Sequence, residues 1–168
     1  MKKRANLNVT LIGLLIIITL LTTGIIVAFE NSQNQATPQY TKNDPASPAL
    51  NIGALKFDFG RVKVSEIRTQ EVPIKNTGQS TLILSDFVSS CDCTFAEVVI
   101  DGRTSPRFSM HRSPDWRGEI APDGSAVIRL IYEPRVMPVK GPVQRAVLFK
   151  TNDPRQPEVT LSFNAVVE

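Results

Sequence analysis

Residues 51–168 are predicted to form an all-β fold, an antiparallel β-sandwich of about seven strands, on three observations. Apolar residues recur with a period of two, no stretch sustains a helical period, and turn chemistry separates the runs. Leu55, Phe57 and Phe59 alternate with Lys56 and Asp58, and Val72 and Ile74 alternate with Glu71, Pro73 and Lys75. Thr81 to Val88, Phe95 to Ile100, Ala126 to Tyr132 and Ala146 to Phe149 are more continuously apolar. Val159, Leu161, Phe163, Ala165 and Val167 alternate cleanly again. Between them, Asn76-Thr77-Gly78, Pro122-Asp123-Gly124 and Asn152-Asp153-Pro154 supply positive φ, fixed φ or side-chain-to-backbone bonds. Short strands and tight turns over this length describe an immunoglobulin-like sandwich. Pro73 has no N–H for a ladder, so it belongs at an edge or a bulge.

The N-terminal part reads differently. Val9 to Phe29 carries no charge over a length that suits a hydrocarbon core, so residues 9–29 are expected to be a transmembrane helix. The run is longer than a secretory h-region and no good small-x-small cleavage signal follows, which favours a retained signal anchor in the lipid bilayer. Lys2, Lys3 and Arg4 precede it, whereas Lys42 is the first basic residue after it. Residues 1–8 are therefore expected to be a cytoplasmic basic tail, with the C-terminal domain extracytoplasmic. Residues 30–50, rich in Asn, Gln, Ser, Thr and Pro, cannot bury enough surface to offset their ordering entropy and are expected to be a flexible, disordered linker.

From residue 51 onward 15 Lys and Arg face 14 Asp and Glu, so the body is nearly neutral and offers no electrostatic footprint for nucleic acid. The chain has one histidine, His111, which closes off His-paired nucleophiles and multi-histidine metal sites. Neither a nucleophile elbow, a phosphate-cradling Gly-rich loop nor an H-E-x-x-H occurs. Asp86, Asp92 and Glu97 are near one another in sequence, but carboxylates scattered on a sandwich surface are ordinarily solvated. The chain is expected to lack catalytic activity and to need no cofactor.

Two features carry the candidate chemistry. Cys91 and Cys93 are the only cysteines. They can be a buried pair or local disulfide, a redox or intermolecular pairing site, or two soft ligands for copper or zinc. Residues two apart in an extended strand are near the limit of disulfide reach, so closing the bond requires a bend. The stretch 101–125 is longer than common loops and reads as an insertion. Arg107, Phe108, Met110, Arg112 and Trp116 within it either contact a partner or, for the two aromatics, cap an end of the sandwich.

The order Phe57-x-Phe59-Gly60, Ile74-Lys75-Asn76-Thr77-Gly78, Cys91-Asp92-Cys93-Thr94, Pro122-Asp123-Gly124 and Thr151-Asn152-Asp153-Pro154 resembles the bacterial family of domain of unknown function 1573. The resemblance spans Asn51 to Glu168. It implies an immunoglobulin-like fold related to hydin-like and major-sperm-protein-like domains, which are usually interaction or scaffolding modules. Asp92 stands where the family has Gly, and Arg103 to Glu119 is not part of its pattern. The expected function is that of a membrane-anchored scaffold binding a protein or cell-envelope partner. The alternative is a thiol redox or soft-metal site at Cys91 and Cys93.

Overall fold

The computed structural model describes residues 11–24, 37–111 and 115–168. They fall into two units, 1–37 and 38–168. In the first, residues 11–24 form helix α1 with exposed leucines and isoleucines. No helix among the described residues is long and apolar enough to cross a membrane. Residues 1–8, Val9, Thr10 and 25–29 of the predicted tail and span, and 30–36 of the predicted linker, lie outside the described residues.

The second unit is an all-β sandwich of two five-stranded sheets. Ten strands are present among the described residues: β1 (Leu50–Ile52), β2 (Lys56–Val62), β3 (Arg68–Asn76), β4 (Leu82–Ser89), β5 (Thr94–Ile100), β6 (Arg103–Thr104), β7 (Arg117–Ile120), β8 (Ser125–Tyr132), β9 (Gly141–Thr151) and β10 (Glu158–Val167). One sheet has the order β1-β3-β8-β5-β6, the other β2-β10-β9-β4-β7. The prediction of about seven strands missed three short edge pieces, β1, β6 and β7. Segments of two to four residues are too short for a period to register, and their pairing is what makes them strands. The expected antiparallel arrangement holds at every pairing except one, because β10 pairs with β2 in parallel.

The alternation seen in the sequence maps onto burial. Val159, Leu161, Phe163, Ala165 and Val167 of β10 all face the core, as do Val72, Ile74 and Asn76 of β3. On β2, Phe59 stacks on Phe163 at 4.2 Å between ring centres, while Leu55 lies before the strand and is exposed. Gly60 takes φ +64° and donates its N–H to Asp58 Oδ1 at 2.8 Å. A residue with a side chain rarely adopts that φ, and the β2–β10 register shifts at this level. Pro73 sits where the ladder needs no donor. Asn76 donates its N–H toward Gly124 on the β8 side, so by alternation the Pro73 nitrogen faces the opposite side, where β1 has already ended at Ile52.

Two sequence expectations require correction. The expected flexible linker does not extend to residue 50: Ser47 and Leu50 are buried, and Leu50 opens β1. The segment earns its order through distant partners, since Asp153 Oδ2 accepts the Leu50 N–H at 2.9 Å and Ala49 accepts the Thr77 N–H at 2.8 Å. A Cβ on Gly78 would collide with the backbone of Ser47, Pro48 and Ala49, so only glycine permits this close approach. The expected loop 101–125 is in part built into the sheets. It contributes β6 to one sheet and β7 to the other, and Phe108 bridges to Ala96 of β5.

Candidate functional site

The sandwich has two ends. At the first, residues 44–50, Asn76, Gly124 and Asp153 meet. The second gathers the turn after β2, residues 90–93, the loop Glu133–Lys140 after β8, and the start of β9, because Arg68 pairs with Tyr132, Tyr132 with Thr94, and Gly141 with Val167. The two cysteines lie at this second end.

Cys91 and Cys93 form a disulfide with Cα atoms 5.3 Å apart. Two residues of extended strand would span about 6.6 Å, so the chain has made the bend that the spacing requires. The turn is held by backbone polar groups. Cys91 O accepts the Ser89 hydroxyl at 2.7 Å and the Thr94 N–H at 3.1 Å, and Cys93 O accepts the Glu133 N–H at 2.8 Å. Cys93 N–H points at Cys91 Sγ at 3.0 Å, and Arg145 Nε donates to Cys93 Sγ at 3.4 Å. Cys93 is fully buried and Cys91 is 6% exposed. Among the described residues no group of three or more His, Cys, Asp or Glu is placed to hold a metal ion.

Tyr132 lies beneath this turn with its ring 5.0 Å from Phe163. Burial pushes its hydroxyl above the ordinary tyrosine range, and the positive charge of Arg145 opposes that shift. The folded state therefore favours the neutral phenol, and its stability declines as pH rises through the ordinary tyrosine range and beyond.

The residues predicted as partner contacts are not all on the surface. Phe108 is buried, its ring stacked on Phe87 at 4.8 Å, and Trp116 packs edge-on to Phe108 at 5.0 Å and to Phe87 at 5.7 Å. These two aromatics close the sandwich, because the long connection between β5 and β8 crosses from one sheet to the other and its large apolar groups fall into the gap. Arg107 lies over the Phe95 ring at 3.9 Å and pairs with Glu133, which also faces Arg135. Met110 is exposed, next to Ser109, whose carbonyl accepts the Ser89 N–H beside the disulfide turn. Arg112 lies outside the described residues.

Sequence reasoning passed over the loop Glu133–Lys140. Pro134–Val136 makes one 3-10 turn, and Val136, Met137 and Val139 are each more than a third exposed. Lys63, Val64, Ser65, Arg135 and Glu168 line an open hollow of about 630 Å³ at the same end. Neither the Lys63 nor the Lys140 ammonium pairs with a carboxylate among the described residues. The signal available in the sequence was Val-Met-Pro-Val between two strands, where a turn ordinarily carries polar residues.

Comparison with known proteins agrees with this architecture. Residues 50–102 match the family model described as "Protein of unknown function (DUF1573)". The match covers β1 to β5, including Asn76-Thr77-Gly78 and both cysteines, and ends at Gly102, so the motifs Pro122-Asp123-Gly124 and Thr151-Asn152-Asp153-Pro154 lie outside it. No curated protein matches the sequence. A crystal structure of a protein of unknown function from Porphyromonas gingivalis W83 is 22% identical with a TM-score of 0.55, over 73% of this chain and 49% of that one. The chain thus spans about half the length of that protein, and the likeness is one of fold. The ASH / PapD-like domain 7 of human CEP192 is 14% identical with a TM-score of 0.46, over 80% of this chain and 94% of that one.

Proposed function

We propose that this DUF1573-type, immunoglobulin-like sandwich is a membrane-tethered, extracytoplasmic interaction domain without catalytic activity, and that it captures a protein partner through its second end. The observation that carries the reading is the exposed Val136, Met137 and Val139 beside Lys63 and Lys140. Large apolar side chains grouped in one loop mark contact surfaces, and methionine is favoured at interface cores while charge is placed at the rim. The fitting partner is a protein surface with an apolar centre ringed by carboxylates. The loop is also remote from the end at which residues 44–50 enter the body, an arrangement that suits presentation by an N-terminal tether.

A photo-crosslinking residue at Met137 in the full-length chain, in cells, is expected to give a discrete protein adduct that Val136→Asp with Lys140→Glu abolishes. The same probe at Gln79, at the opposite end, gives none. Equal adducts at both positions, or an adduct indifferent to the charge changes, contradict the assignment.

The tether rests on the uncharged Val9 to Phe29 and on the basic residues before it. The full chain is expected to stay with membranes through alkaline extraction, and a Lys42→Cys variant to react with a membrane-impermeant maleimide in intact spheroplasts. Release at alkaline pH removes the anchor, and labelling only after lysis reverses the orientation.

A further inference from the structure

We propose that the Cys91–Cys93 bridge is a directional thiol–disulfide exchange site, with Cys91 the sulfur attacked, Cys93 the sulfur released, and Arg145 the group that receives the developing thiolate. The inference does not depend on the partner surface.

A ring closed between residues two apart removes little freedom from the unfolded chain, so stabilisation is a weak reason for this bond. Its surroundings are asymmetric. Both cysteines are buried, but Cys91 retains 6% exposure and Cys93 none. Arg145 Nε–H meets Cys93 Sγ at 3.4 Å, and the guanidinium has no carboxylate partner among the described residues; its NH1 donates to the Gln144 carbonyl at 2.9 Å. Its charge is therefore not cancelled by a neighbouring anion. A thiolate released into a buried site is costly unless a cation or donor meets it, and a lower-pKa thiol leaves faster. The Thr94 hydroxyl is nearly equidistant from the two sulfurs, 3.8 Å from Cys91 Sγ and 3.9 Å from Cys93 Sγ, as a second polar neighbour.

The chemistry balances with an external dithiol as reductant. One of its thiolates attacks Cys91 Sγ, a new S–S bond forms there, the Cys91–Cys93 bond breaks, and the electron pair leaves on Cys93 Sγ beside Arg145. The second thiolate of the dithiol then attacks its own sulfur in the mixed disulfide. The dithiol departs as a disulfide, oxidised by two electrons, and Cys91 leaves as a thiolate that takes up a proton. The substrate class is an accessible dithiol of a small molecule or a protein.

The test uses the full chain in detergent with glutathione, a monothiol whose first attack leaves a mixed disulfide, trapped with iodoacetamide at early times before a second glutathione can resolve it, and then peptide fragmentation. Glutathione is expected on Cys91 and the alkyl group on Cys93. Arg145→Gln is expected to slow the reaction roughly tenfold, with Arg145→Lys recovering part of the rate, as a weaker leaving thiol implies. Glutathione on Cys93 or on both positions overturns the direction. An unchanged rate in a folded Arg145→Gln variant overturns the role of Arg145. A bridge that is reduced only as the Trp116 emission reports unfolding overturns the site, and if the Arg145 variants do not fold, the position of the adduct in the unaltered chain decides.

Discussion

Replacing Asn76 by alanine is expected to destabilise the body by about 4 kcal/mol, a large part of what a single domain has. The Asn76 side chain is fully buried and makes four bonds. Nδ2 donates to Ser80 O at 2.8 Å and to Ile120 O at 3.0 Å, and Oδ1 accepts the N–H groups of Gly78 at 3.0 Å and Ala49 at 3.3 Å. A side chain that cannot bond leaves these backbone groups without partners, and each buried one costs about 1–3 kcal/mol. The sum stays below four full penalties because water reaches the half-buried members. Urea unfolding of Asn76→Ala should show a lowered midpoint at an unchanged slope. Hydrogen exchange should accelerate at Ala49, which loses its acceptor, and at neighbouring Leu50, since one of the anchors that hold residues 44–50 on the sandwich is gone. Unfolding free energies that agree within about 0.5 kcal/mol would mean the four bonds are replaced by water without cost.

Truncating Phe87 to alanine should cost about 3–5 kcal/mol, the range for a phenylalanine removed from a packed interior. Phe87 is fully buried between two other rings, stacked on Phe108 and on Phe149 at 4.8 Å each, with Trp116 edge-on. It joins the core of the β4 sheet to the connection that crosses between the sheets. Its loss leaves a cavity lined by rigid rings, which cannot collapse as aliphatic chains do. Trp116 is the only tryptophan, so its emission isolates this place. A red shift in the folded state together with the lower urea midpoint is the expected outcome, and a stability loss with unshifted emission would place the damage elsewhere.

These two positions also show how far the chain could be read in advance. Alternation exposed the buried faces of β3 and β10 because the rule is local: successive side chains of a strand point to opposite sides. Asn76, Asn152 and Asp153 were legible as turn residues, and their longer-range work was not. Asn152 bonds Ile83 N–H and Thr81 O across 69 and 71 positions, and Asp153 bonds Leu50 N–H across 103. Asparagine and aspartate suit a turn wherever it stands, so nothing in their local pattern reveals a distant partner. Phe108 and Trp116 were visible as large apolar groups in a long connection, a composition shared by a contact arm and a plug. Only their position between the sheets selects the plug.

The sequence by itself determined the class of the body, its turn positions, its near-neutral charge and the isolation of its two cysteines, because each is written in composition or in a period of two residues. The tertiary structure decided what the residues of the second end do. Cys91 and Cys93 became an asymmetric bridge only when β9 set Arg145 against one sulfur, and the Val136–Val139 loop became a candidate contact surface only when folding left it uncovered. Both depend on neighbours far away in the chain, and such proximity follows from strand order and register, which no local pattern encodes.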